Sequence, residues 1–127
     1  KMIGYITLGT NDLEKAVAFY DILMAELGAG RFMQEDTFVA WAIAPDQPAF
    51  SVCRPHDGEA ATVGNGTMIA LAVDSTDKVD TIYAKAIEAG GSDEGLPGPR
   101  TDGFYAGYFR DLDGNKLNVF HMKTAED

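Results

Sequence analysis

The chain is poor in three things at once: cysteine, histidine and positive charge. Its one cysteine, Cys53, excludes an intrachain disulfide and fits a reducing compartment. Its two histidines, His56 and His121, leave little imidazole for a metal site. Ten Lys and Arg stand against twenty Asp and Glu, a net charge of −10. The cations are scattered and form no stripe. Such a field repels phosphate backbones and anionic lipid heads, so nucleic acid is not expected as a partner. No apolar run approaches the ~20 residues of a membrane span. No charged-then-apolar leader opens the chain, so a cytoplasmic protein without membrane attachment is expected. Ser–His–Asp spacing, a phosphate-cradling Gly loop followed by Lys-Ser/Thr, and a Cys pair are all missing.

What is there reads as a globular protein. Hydrophobic residues are 46% and charged residues 24% of 127, enough apolar surface to offset the ordering entropy. The length fits one domain, residues 1–127. Met2 to Leu8 reads as a strand. Asn11-Asp12-Leu13-Glu14 reads as a capping box with Asn11 at the cap. Leu13, Val17, Tyr20, Met24 and Leu27 then follow at helical steps, and Gly28 stops the helix. Strands are expected at 31–35, 37–43 and 49–54, and 55–66 is a connection.

The pattern then recurs. A strand at 67–73 precedes a helix capped by Ser75 or Thr76, with Val79, Ile82, Tyr83 and Ala86 on one face and Gly90-Gly91 as its stop. Residues 92–103, rich in Gly and Pro, read as a long loop. Strands at 104–110 and 116–121 pair through Asp111-Leu112-Asp113-Gly114-Asn115, a hairpin turn with Asp-Gly. The chain is therefore an α+β fold of two βαβββ modules, about 2–54 and 67–122.

Alternation along each strand assigns side chains to faces. One parity is branched and aliphatic and belongs under the helices. The other holds Tyr5, Thr7, Ser51, Cys53, Met68, Ala70, Asn118 and Phe120. Small residues there leave a hollow, and aromatic and polar groups give it chemistry, so a small-molecule pocket is expected on this face. Tyr105 and Tyr108 join Tyr5 as candidate hydrogen-bond donors, and Trp41 either stacks on a ligand or packs. Arg54 is expected to point away from Cys53. His56, in Arg54-Pro55-His56-Asp57-Gly58, reads as an exposed turn histidine, and His121 as structural.

The run from Ile6 to Tyr20, ITLGTNDLEKAVAFY, resembles the opening of the vicinal oxygen chelate superfamily of glyoxalases, bleomycin-resistance proteins and extradiol dioxygenases. Gly64 to Val73 is similar to the start of its second module, and Arg110 to Leu117 to its closing hairpin. The resemblance implies a glyoxalase-like incomplete barrel around a central cavity, and a homodimer. Metal-bearing members use four ligands, typically His, Glu, His and Glu. Those positions fall here on Tyr5, Ser51, Met68 and Asn118, none of them a usual divalent-metal ligand. No metal or other cofactor is therefore expected. The resemblance implies a metal-independent pocket, either binding or lyase-like, with no catalytic residue assigned. The alternative is sequestration of a bleomycin-type antibiotic, for which an acidic surface would suit a cationic drug.

Overall fold

The computed structural model describes residues 2–124. The first half contains β1 (Tyr5–Gly9), α1 (Leu13–Glu26), β2 (Gly30–Gln34), β3 (Phe38–Ala42) and β4 (Ala49–Cys53). The second contains β5 (Ile69–Ala72), α2 (Thr76–Glu88), β6 (Ser92–Pro99), β7 (Phe104–Arg110) and β8 (Lys116–Met122). Each half makes one four-stranded sheet, ordered β1-β4-β3-β2 and β5-β8-β7-β6. The first strand of each half is thus an edge strand, pairing in parallel with the last. Neither sheet closes into a barrel, and the two together make an α+β incomplete barrel.

Each helix covers one face of its own sheet, and α1 packs on α2 between the halves. The aliphatic parity turns inward. Leu8, Phe50 and Val52 from the first sheet and Leu117 and Val119 from the second join Tyr20, Leu23, Val79 and Ile82 in one buried cluster. Both helices end alike. Gly28 adopts φ +76 and Gly90 φ +110. Ala29 N donates to Met24 O and Gly91 N to Ala86 O, each at 2.8 Å. That pairing caps the last turn with a left-handed residue where a side chain would be strained.

Two expectations are corrected. The cap of α1 is Asp12, not Asn11: Asp12 Oδ1 accepts from Lys15 N at 3.1 Å. The Asn11 carboxamide is instead committed to Ala61, accepting from its N–H at 2.7 Å and donating to its carbonyl at 3.3 Å. The expected loop 92–103 is largely strand β6. Its Gly and Pro residues are accommodated by register shifts around Gly95 rather than by leaving the sheet.

The closing hairpin also ties the halves together. Asp111 is buried and accepts from Asp113 N and Asn115 N through Oδ1, both at 2.9 Å. Through Oδ2 it accepts from the Tyr20 hydroxyl at 2.6 Å and from Asn115 Nδ2 at 3.0 Å. Asn115 Nδ2 also donates to Gly9 O at 3.0 Å, and Asn11 N donates to Asp113 Oδ1 at 2.8 Å. The Arg-Asp-Leu-Asp-Gly-Asn sequence therefore does more than turn a hairpin: it pins β1 and α1 to the second sheet.

Candidate functional site

The face of the first sheet turned away from α1 is open and concave. It lines a cavity of about 840 Å³, within the range of small-molecule sites. The strand register orders its floor. One row is Tyr5 beside Ala49, the next Thr7, Ser51 and Ala40, and the last Cys53 and Phe38. Phe32 and Met33 of β2 form an apolar wall, and Gln47 and Pro45 close the Tyr5 end. Arg54 and His56 stand at the opposite end, where β4 finishes. The five residue steps from Ala49 to Arg54 span about 16 Å at the usual strand rise.

The middle row has a fixed hydrogen-bond direction. Ser51 Oγ donates to Ile6 O at 2.8 Å, which uses its one proton. The Thr7 hydroxyl, 2.7 Å from Ser51 Oγ, must then donate to it. Thr7 Oγ1 consequently has only lone pairs to offer the cavity, and accepts from a ligand N–H or O–H.

Cys53 is partly buried, and that desolvation pushes its thiol pKa up. A nucleophilic cysteine needs the opposite shift. Among the described residues no Asp or Glu lines the cavity, and the titratable groups that do are Tyr5, Cys53, Arg54 and His56.

The remaining candidates lie elsewhere. Asn118, Phe120 and Tyr108 belong to the second sheet, and Met68 immediately precedes its strand β5. By register Asn118 sits between Ala70 and Tyr108, and Phe120 between Ala72 and Ala106, on the face away from α2. Asn118 is only 2% exposed and its Oδ1 has no hydrogen-bond partner among the described residues. Phe120 stacks on Phe104 at 5.3 Å. The Tyr108 ring is approached by Arg100 at 5.3 Å and Lys116 at 5.6 Å. Met68 borders two smaller cavities, an apolar cleft and one beside Arg110 and Lys116. None of these four lines the cavity that Tyr5 and Ser51 line.

Trp41 and Tyr105 are on the helix side of their sheets. Trp41 pairs with Phe50 and donates from Nε1 to Asp21 of α1 at 2.9 Å. Tyr105 pairs with His121 and donates to Asp80 of α2 at 2.7 Å. His121 itself bonds Val73 O through Nδ1 at 3.1 Å. Arg54, expected to face away, borders the cavity because β4 ends at Cys53 and strand alternation ends with it.

Residues 2–119 match the family model of the Glyoxalase/Bleomycin resistance protein/Dioxygenase superfamily. The chain belongs to this superfamily. A glyoxalase/bleomycin resistance protein from Albidiferax ferrireducens T118 is 34% identical over 97% of this chain and 100% of its own, with a TM-score of 0.88. A hypothetical protein from S. aureus is 28% identical over 95% of this chain and 93% of its own, with a TM-score of 0.72. A lactoylglutathione lyase from Agrobacterium tumefaciens shares the fold at 19% identity, covering 95% of this chain and 93% of its own, with a TM-score of 0.71. No curated protein matches the chain.

The metal that many superfamily members hold does not fit the residues present here. Tyr5 and Ser51 are on one sheet, Asn118 is on the other with Met68 just ahead of β5, and the Ser51 hydroxyl is already committed to Ile6. A thioether and a neutral carboxamide are poor donors for a divalent ion. Among the described residues no group of three His, Cys, Asp or Glu could hold a metal.

Proposed function

We propose that the chain is a superfamily member that binds a small molecule on the open face of its first sheet without a metal. The observation that carries this reading is the 840 Å³ cavity itself, with an apolar wall, an oriented hydroxyl pair and no metal-ligand set. Binding is favoured over a lyase-like reaction because among the described residues no carboxylate lines the cavity and the one thiol has a raised pKa. Sequestration of a cationic antibiotic draws no support from such a lining. The working unit is a homodimer. Tyr5 is 73% exposed and Met68 40%, each beside a first strand with a free edge. The second module of another copy would bring Met68 and Asn118 over the first module's open face. The single cysteine suits a cytoplasmic setting.

The test uses N-phenyl-1-naphthylamine, a neutral fluorescent probe, on chelator-treated protein. Saturable binding is expected, with less than one divalent metal per chain by elemental analysis. Thr7→Trp, which fills the cavity from its exposed floor, should abolish binding while leaving the circular dichroism spectrum unchanged. Binding that disappears with the chelator and returns with a divalent cation would refute the metal-independent reading. Sedimentation equilibrium should give the mass of two chains, and a single-chain mass would remove the dimer.

A further inference from the structure

We infer that the ligand of this cavity is an amphiphile with an anionic group, received at the Arg54–His56 end. The inference rests on the cavity being a binding site and adds the ligand's chemical class. Acids outnumber bases twenty to ten along the chain, yet the lining holds Arg54 and His56 and, among the described residues, not one Asp or Glu. The acidic excess is therefore elsewhere, and the cavity has the opposite sign to the molecule.

Most other described cations are already neutralised. Lys15 pairs with Asp12, Arg31 with Asp21, Lys78 and Lys85 with Glu26, and Arg110 with Glu94. Arg54 has no such partner among the described residues. The nearest acids in sequence do not cover it: Asp57 is exposed and accepts from Glu59 N at 2.9 Å, and neither lines the cavity. A guanidinium is a rigid fork of donors matched to carboxylate, sulfonate or phosphonate oxygens. At the cavity mouth it is available to a ligand.

The rest of the cavity defines the other end of the molecule. Phe32, Met33, Phe38 and Ala40 offer apolar surface and no charge. Between the two ends, Thr7 Oγ1 accepts one hydrogen bond. The second sheet repeats the sign on its own open face. Arg100 and Lys116 flank Tyr108, and neither forms an ion pair among the described residues. A second copy closing the cavity would thus add positive charge rather than cancel it.

The experiment compares two dyes that share one hydrocarbon body. N-phenyl-1-naphthylamine is neutral, and 1-anilinonaphthalene-8-sulfonate adds an anion. The sulfonate is expected to bind at least fivefold tighter. Arg54→Glu should remove that advantage, bringing the ratio of the two dyes' affinities to within twofold, whereas Arg54→Lys should retain most of it. Thr7→Trp should block both dyes, which assigns the binding to this cavity. If both dyes bind with equal affinity, or Arg54→Glu leaves the sulfonate unaffected, the anionic class is overturned while the pocket stands. If neither dye binds, or Thr7→Trp blocks neither, the pocket reading falls and takes this inference with it.

Discussion

Tyr20 and Tyr83 occupy equivalent places on the two helices, and each donates its phenol proton to a carboxylate at 2.6 Å, Asp111 and Asp93 respectively. Burial is the main reason both phenols resist ionisation, and the adjacent carboxylate adds to it. The Tyr83 pKa is pushed up to about 12, and that of Tyr20 lies well above the ordinary value. A folded-state pKa above the unfolded value of about 10 stabilises the fold at all pH below 10. The contribution is lost as pH rises through about 12. Urea titrations should show stability falling from pH 10 to 12, and Tyr83→Phe should flatten that fall. An unchanged slope in the variant would contradict the assignment. At neutral pH, Tyr20→Phe removes a hydrogen bond from a buried carboxylate and should cost about 1.5–3 kcal/mol.

The elements show which parts of the structure a sequence discloses. Alternation placed Ile6, Leu8, Phe50 and Val52 under α1 because those strands are regular. It missed Phe32 and Met33, because the β2–β3 register shifts between Arg31 and Met33 and both neighbours then reach the cavity. β6 was hidden for a related reason: a strand interrupted by Gly and Pro carries no period of two. Arg54 and His56 lie past a strand end, where only the path of the chain decides direction. Trp41 shares the parity of Val39, which reads as core, but its indole invited a ligand role that alternation alone would have withheld.

The helix stops were legible, yet their glycines are not equivalent. At Gly28 a Cβ meets nothing within 4 Å, so Gly28→Ala should cost about 1–2 kcal/mol for the left-handed backbone alone. At Gly91 a Cβ would lie 2.8 Å from both Ala86 O and Arg110 O. Backbone carbonyls cannot rotate away, so Gly91→Ala must push α2 off β7 and should cost about 3 kcal/mol or more. Chemical denaturation of the two variants gives the order, and a reversed order would contradict the close approach.

At the scale of the whole molecule, the two sheets depend on what lies between them. No helix among the described residues is long and apolar enough to cross a membrane, and both helices are instead committed to a core that the halves share. The Tyr20–Asp111 bond and the Asn115–Gly9 bond cross from one half to the other at its rim. Removing either half would expose the inner faces of α1 or α2 and leave Asp111 or Tyr20 without its partner. The modules are therefore expected to unfold as one unit, residues 1–127 acting as a single domain. The chain carries its own reporter for this. Trp41 is its one tryptophan, it is 1% exposed, and it belongs to the first half. Ellipticity at 222 nm reports both helices. In urea the Trp41 fluorescence and ellipticity transitions should coincide in midpoint and slope. Their common midpoint should rise with protein concentration if two copies close the cavity. A fluorescence transition that precedes or trails the ellipticity would mean that the halves unfold separately, and that the shared core does not couple them.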